Sequence, residues 1–333
     1  MTSISQLRTK QRLVPLILGL LGLVAVSISY STNPQVTQAV LASTIRQSTP
    51  ILLGAMCGIF CERAGIINIG IEGQMLLSAF MAFMVNVWTG NLFLAVLAGM
   101  ATGALLGLLH AFMSITLKLD QIISGTVINI LAQGLTGFFY TAGLTTTGKL
   151  QPISLGILAE IPLIGPVFFR NPPITFIAIL LVFVSQFVLF KTVWGLRTRA
   201  VGEHPRAADT LGVNVFTTRY INVIVGGAIA GLAGAFLTLE AVGSFERNMT
   251  NGRGFVALAV MIFGKWSPLG AWGASLLFGF ANALQTQIQF SGVLQIPHQF
   301  IGMLPYLLTI IVLAGFVGRA RPPAAGGVPY EKE

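Results

Sequence analysis

Charge is scarce in this sequence of 333 residues: Asp, Glu, Lys and Arg together make up 9% of it, while 54% is hydrophobic. Soluble domains carry roughly 25% charged residues, so the composition excludes an ordinary water-facing globule and makes lipid the main solvent. Cysteine is scarcer still. Cys57 and Cys61 are the only two; four residues apart near the end of one apolar run, they cannot build a secreted disulfide framework and read as small core residues. The three histidines, His110, His204 and His298, stand singly, so no metal-ligand cluster forms and each is expected to be a satisfied or surface residue. A nucleophile-and-base constellation is also missing, which leaves an intramembrane enzyme without machinery.

Apolar length is what the chain has in excess. A helix needs roughly 20 mostly apolar residues to cross about 30 Å of hydrocarbon. Nine runs answer to this, at about 13–30, 40–60, 71–88, 92–117, 122–143, 174–194, 220–243, 270–290 and 300–318. A tenth, 254–264, reaches only about 17 Å at 1.5 Å per residue, so it is either half a span or a helix extended through Lys265 to Pro268. The run at 13–30 follows Arg8, Lys10 and Arg12, as in a signal peptide, but it is longer than a usual h-region and no clear small-residue cleavage site follows. It is expected to be a retained first span.

The fold class is therefore an all-α polytopic membrane protein of about ten transmembrane helices, with 1–333 as one domain. Its halves are 13–143 and 174–318. An extracytoplasmic loop at 144–173 separates them, a long cytoplasmic connection covers 195–219, and a cytoplasmic tail covers 319–333. The formal charge of +9 sits in short loops rather than on one face, which argues against nucleic acid. With ten crossings and the N-terminus inside, cytoplasmic segments hold fourteen Lys and Arg; only Lys149, Arg170, Arg247 and Arg253 fall outside, leaving aside Arg46 within the second run. The positive-inside rule thus puts both termini in the cytoplasm of a multi-pass inner- or plasma-membrane protein.

A weak internal repeat accompanies this topology. Gly65 to Met75 resembles Gly252 to Met261, Gly103 to Phe112 resembles Gly273 to Leu284, and 121–138 parallels 299–316. The two units start five crossings apart, an odd number, so they would be inverted relative to each other, as in transporters with a site near the midplane.

GLTTTGKL (143–150) nearly matches a phosphate-cradling loop, but Leu150 replaces the magnesium-binding hydroxyl and no strand precedes it, so any ATP must be hydrolysed by a partner. The connection GLRTRAVGEHPRAADTLGVNVFTTR (195–219) is the most informative stretch. Pro205 suits a first helical turn and Glu203 complements its dipole. Ala207, Ala208 and Leu211 form a short apolar face, as expected of a helix lying along the membrane and docking into a cytoplasmic partner; a solvated turn is the blander alternative. In ERAGIINIGIEGQMLL (62–77), Gly65, Gly70 and Gly73 among Asn and Glu suggest backbone that is not simply helical, tolerated in a membrane only beside protein or a water-filled cavity. Asn68, Glu72 and Gln74 are candidates to line a pathway or brace its gate.

Ser124, Thr126, Asn129, Gln133 and Thr136 fall on one span and Asn282, Gln285 and Gln289 on another. Buried amides need partners, so both stripes are expected to face the bundle interior, as helix-to-helix glue or as hydrogen-bonding groups for a neutral polar solute. Gly99, Gly103 and Gly107, with Gly227, Gly231 and Gly234, predict close helix packing. FERNMTNGRGF (245–255) is either a plain surface loop or a contact for an extracytoplasmic binding protein.

Three stretches, TPILLGAMCGIFCERAGIINIGIEGQML (49–76), GLRTRAVGEHPRAADTLGVNV (195–215) and GRGFVALAVMIFGKWSPLGAWGASLLFG (252–279), resemble the permease subunits of bacterial ABC importers of the ribose and branched-chain amino acid family, and within it the paired nucleoside-type permeases. The resemblance implies a type II importer-like fold and a coupling helix holding Gly202, Glu203, Pro205, Ala207, Ala208 and Gly212. It also implies a cytoplasmic ATP-binding protein that uses ATP and Mg²⁺, a second homologous permease and a solute-binding lipoprotein. This chain itself is expected to bind no cofactor or metal, to be surrounded by membrane lipid, and to be a transport subunit, not an enzyme. INIGIEG (67–73) departs from the acidic, serine-containing motif of sugar permeases, which favours nucleosides. The tentative pathway set is Asn68, Glu72, Gln74, Asn129, Gln133, Asn282 and Gln285. The alternatives are a permease for simple sugars or another small solute, and an ion-coupled secondary transporter.

Overall fold

The computed structural model describes residues 24, 26–291, 303, 307 and 320–332. Most of the expected first span and nearly all of the expected last one, 300–318, lie outside the described residues, as does His298. Among the described residues, helix follows most of the apolar runs. In order come α1 (Pro34–Arg63), α2 (Ile71–Thr89), α3 (Leu92–Ala111, prolonged by a π-helical turn, Phe112–Thr116) and α4 (Gln121–Phe139). The segment 144–173 then holds a two-residue strand pair, Ile153–Ser154 with Arg170–Asn171, and a five-residue helix, α5 (Ile164–Phe168). Next are α6 (Pro173–Lys191), α7 (Val193–Glu203), α8 (Pro205–Thr210), α9 (Val215–Ala235, running on as a π-helix over Phe236–Val242), α10 (Arg253–Phe263) and α11 (Pro268–Ser291).

Five of these are long and apolar enough to cross a membrane: Ile71–Thr89, Leu92–Thr116, Gln121–Phe139, Pro173–Lys191 and Val215–Val242. α10 is indeed a half-length element. It stops at Gly264, and the positive φ of Lys265 (53°) and Trp266 (51°) breaks the helix before α11 begins at Pro268.

Two kinds of helix start stand out. Those near the ends of the bundle are capped by their own neighbours, because a short oxygen-bearing side chain satisfies the orphan N–H groups of the first turn. Asn33 accepts from Val36 N, Asn91 from Phe93 and Leu94 N, Asp120 from Ile122 and Ile123 N, Thr192 from Gly195 N, and Asn214 from Thr217 N. α2 and α10 instead begin at glycines, Gly70 and Gly252, which make no side-chain cap. Both start inside the bundle, and their donors are met by side chains from other helices.

At the centre α1 is buried from Ser48 to Glu62, wrapped by α2, α9, α10 and α11. α3 crosses α9 along the predicted glycine seam. A Cβ on Gly103 would collide with the Gly227 carbonyl and lie 2.6 Å from Gly231 N, and one on Gly107 would lie 2.7 Å from Val223 O. Backbone contact of this kind is open only to glycine. Cys57 and Cys61 are free and fully buried in the core, as expected.

Candidate functional site

Between α1 and α2 the backbone of 64–70 is not helical, yet it is mostly buried. Buried polar backbone must find partners, and here polar side chains supply them. Gln121 Oε1 accepts from Ile67 N (2.7 Å), a His110 ring nitrogen lies 2.9 Å from Ile67 O, and Asn129 Nδ2 donates to Ile69 O (3.1 Å). Asn68 Oδ1 accepts from Gly70 N (3.0 Å) while its Nδ2 donates to Gln74 Oε1 (3.1 Å); Asn129 Oδ1 accepts from Gly73 N (2.7 Å). The other His110 nitrogen meets Ser124 Oγ at 2.9 Å.

The buried Glu72, in the first turn of α2, then reaches the start of α10: its carboxylate accepts from Gly252 N (2.8 Å) and Gly254 N (2.6 Å). A Cβ on Gly254 would sit 2.6 Å from the backbone of Glu72. Two helices thus begin at one point and leave it separately, with both positive dipole ends facing a single carboxylate.

At the end of the bundle bearing Arg63, α7 and α8 are separate short helices joined at His204, with Pro205 in the first turn of α8, as predicted. Gly202 is packed so closely that a Cβ would collide with the Arg63 carbonyl. Arg63 and Arg199 place their guanidinium groups 5.4 and 5.1 Å from the ring centre of Phe190, joining α1, α6 and α7. Ala208 faces inward, against Val201, Val215 and Tyr330, whereas Ala207 is exposed and Leu211 is 84% exposed. The expected apolar face is therefore divided: one alanine anchors it, and the rest is presented outward. Gly212 ends α8 at φ 79°.

The segment 320–332 lies across this same end. Ala325 N donates to Gly202 O (2.9 Å), Ala324 N to Glu203 Oε2 (3.2 Å), Gly327 N to Gly65 O (3.3 Å), and Arg219 Nη1 to Val328 O (3.2 Å). Tyr330 is buried, with its ring 5.5 Å from that of Phe216. Lys118 and Glu331 pair at 2.6 Å, and this hydrogen bond and charge hold the Glu331 carboxyl below its usual range. One strap thus ties the 64–70 loop to α7, α8 and the base of α9.

Towards the opposite end lies a cavity of about 450 Å³. Three departures from regular helix meet on its wall. Pro50 lies inside α1, which continues through it, and has no N–H to give the Arg46 carbonyl; the π-helical turn contributes Phe236, Leu237, Glu240 and Ala241; and α10 begins there at Arg253. Ser43, Arg46, Gln47, Lys149 and Gln151 complete its polar lining. Glu240 is held by the start of α6, accepting from Ile174 N (2.8 Å) and Thr175 Oγ1 (2.5 Å), and Lys149 Nζ donates to Ala241 O (2.7 Å). Lys149 of the near-phosphate loop therefore folds onto the end of α9.

None of the seven predicted pathway residues lines this cavity. Asn68, Glu72, Gln74 and Asn129 brace the 64–73 backbone and the α10 start. Asn282 and Gln285 are half-buried on α11, and Gln133 is exposed. The predicted α4 stripe divides because nine residues of helix turn through about 180° beyond whole turns: Ser124, Asn129 and Thr136 are buried, while Gln133 and Thr126 face out. The cavity residues were missed, although Arg46 inside an apolar run, four residues before Pro50, was a legible signal. In 245–255, Phe245 is buried against Phe80, and Arg247 lies 5.1 Å from the Tyr140 ring centre. Among the described residues no His, Cys, Asp and Glu cluster could hold a metal.

The branched-chain amino acid transport system / permease component family matches residues 40–313. The chain is similar to the guanosine ABC transporter permease protein NupQ of Bacillus subtilis, 42% identical over 90% of this chain and 98% of that one. It is also similar to the nucleoside ABC transporter permease protein NupC of Lactococcus lactis, 41% identical over 89% and 97%. The putative glucose ABC transporter permease protein TsgC13 of Haloferax volcanii is 39% identical over 82% and 90%. No solved structure matches.

Proposed function

The chain belongs to the branched-chain amino acid transport system permease family, and from that premise we propose that it is a permease subunit of an ATP-driven importer whose solutes are nucleosides. The observation that carries the solute is the 41–42% identity, over nearly the whole of both chains, to permeases named for guanosine and nucleosides. A sugar remains the second reading, favoured by the 39% identical relative named for glucose.

In this reading the Arg63 end is cytoplasmic, both termini lie there, and the bundle has ten crossings. α7 and α8 are the coupling helices, presenting Glu203, Ala207 and Leu211 to a separate ATP-binding protein that uses ATP and Mg²⁺. Gly202, Pro205, Ala208 and Gly212 shape and seat that surface. A second permease completes the path, and a solute-binding lipoprotein delivers solute outside. The inverted repeat is supported by the start-to-start meeting of α2 and α10, since Gly65–Met75 and Gly252–Met261 are the segments paired in sequence. Asn68, Glu72, Gln74 and Asn129 brace the gate between cytoplasm and cavity, with Gln133, Asn282 and Gln285 on more peripheral faces.

An ion-coupled carrier needs a mid-membrane ionisable group able to bind and release its ion. Glu72 and Glu240 each accept from a helix start, which disfavours that alternative. The test is uptake of radiolabelled guanosine by cells with and without this gene, repeated in vesicles with collapsed ion gradients and retained ATP. Uptake that needs the gene and survives collapse is expected. Uptake that follows the gradient, or that needs no nucleotide-binding companion, overturns the reading.

A further inference from the structure

We propose that the cavity between α1, the 149–152 segment, the π-turn of α9 and the start of α10 is the solute site, and that Arg46 there selects 6-oxopurine nucleosides over adenosine. This rests on the nucleoside reading above and goes further, to the residues and the base.

The first argument is where the irregular backbone is. A proline inside a helix and a broken helix start leave backbone groups without intrahelical partners, tolerated in lipid only beside protein or a water-filled cavity; a π-turn, with its i→i+5 bonds, recurs at functional sites. Here all three, from segments far apart in sequence, border one space. Its volume, about 450 Å³, falls within the roughly 300–1,000 Å³ typical of small-molecule sites.

The second argument is chemical. Arg46, Lys149 and Arg253 offer donors; Gln47 and Gln151 offer a donor and an acceptor each. The single carboxylate, Glu240, is already held by Ile174 N and Thr175 Oγ1. Lys149 is partly used on Ala241 O, and Arg253 Nη1 on Met249 O and Thr250 O. Arg46, which is exposed, makes no hydrogen bond among the described residues and feels the Glu240 carboxylate only as a charge through space, so its five donors are open to a ligand. The lining is thus rich in donors and fits a solute edge made of acceptors.

A 6-oxopurine presents O6 and N7 side by side, the pair a guanidinium fork matches; adenine puts an N6 amino donor beside N7. Against Arg46 that amino group would set donor against donor. A phosphate would also suit three cations, so a nucleotide is the competitor that the test must separate.

The test uses the complete transporter in proteoliposomes, measuring uptake of labelled guanosine and adenosine, with guanosine monophosphate as an unlabelled competitor. Wild type is expected to prefer guanosine. Arg46→Gln and Arg46→Lys are both expected to lower the guanosine-to-adenosine ratio about tenfold or more, the worth of a bidentate pair, because lysine keeps the charge but not the fork. An equal loss for both nucleosides, an unchanged ratio, or retention of the preference by Arg46→Lys overturns the assignment. Stronger competition by the monophosphate than by guanosine makes the cavity an anion site and overturns it too.

If the Arg46 variants fail to assemble, Gln151→Cys supplies an independent readout. Cys57 and Cys61 are fully buried, so within this chain a membrane-impermeant maleimide should report position 151 alone, read on the separated subunit. Guanosine is expected to slow labelling at concentrations where adenosine does not; equal or no protection overturns the proposal. If the wild-type complex imports no nucleoside at all, the functional reading has failed; if it does and these variants behave as wild type, only the site has.

Discussion

The two ends of this bundle are built on opposite principles. At the Arg63 end, short helices, a buried loop and the 320–332 strap are bound to one another by backbone hydrogen bonds and by the packed ring of Tyr330. At the other end, helices lose their regularity around an open cavity. The difference teaches where each proposed job can sit. On the proposed reading, a surface that passes on a push moves as a unit, so its pieces are tied; a surface that takes and releases a solute keeps polar groups free, so its helices depart from regularity. Between the ends stands the glycine seam of α3 and α9, which both depend on.

The seam gives the largest expected effect and should not distinguish the ends. Gly103→Leu would drive a side chain into backbone with no route for relaxation, beyond the roughly 1–3 kcal/mol of ordinary overpacking. The complex should fail to accumulate in membranes; normal accumulation would mean that α3 and α9 do not cross as described.

Next in size are changes confined to the Arg63 end. Replacing Glu203 with Lys and Ala208 with Trp together should abolish uptake while ATP hydrolysis continues, because the proposed coupling surface is reversed in charge and unseated. Tyr330→Ala should be milder, lowering uptake several-fold per ATP hydrolysed and leaving guanosine protection of Gln151→Cys intact. Loss of that protection would show that the strap matters to both ends alike.

At the cavity end, Pro50→Ala should do the reverse of most mutations. Restoring the missing hydrogen bond and removing a ring from a helix interior favours α1 by as much as about 3 kcal/mol, so the melting temperature of the complex should hold or rise while uptake falls. A lower melting temperature would indicate that the interruption is structural filler. The smallest effect belongs to Glu331→Gln, which removes an exposed pair and should leave the melting temperature and uptake unmoved. The sign of any residue of effect is fixed: a carboxyl held low in the folded state adds stability at neutral pH that disappears as pH falls through its lowered value.

Local chemistry made much of this legible in advance. The glycine spacing at 99, 103 and 107 predicted the seam because small residues at i and i+4 share one face. Pro205 marked a helix start because its ring suits the first turn; for the short run at 254–264 the sequence allowed a half-span or a helix extended through Lys265, and the positive φ of Lys265 and Trp266 selects the first. Asn68 and Glu72 sit beside irregular backbone, as their glycine-rich surroundings suggested, though a sequence cannot say whether an amide faces solute or holds a loop. Gln133 is exposed on α4, where its angle and not its polarity decides its face. The cavity was hidden for a different reason: 46–50, 149–152, 236–241 and 253 meet only in three dimensions, and no periodicity within one helix reports on the other three.

The strap also sets an order of events. Residues 320–332 leave the ribosome after every helix they tie, so Gly65, Gly202 and Arg219 wait without their fastener throughout synthesis and insertion. A chain that stalls or misplaces a late segment never closes that clasp, and the α7–α8 end stays loose. Arrival of the strap and firmness of that end therefore become one event.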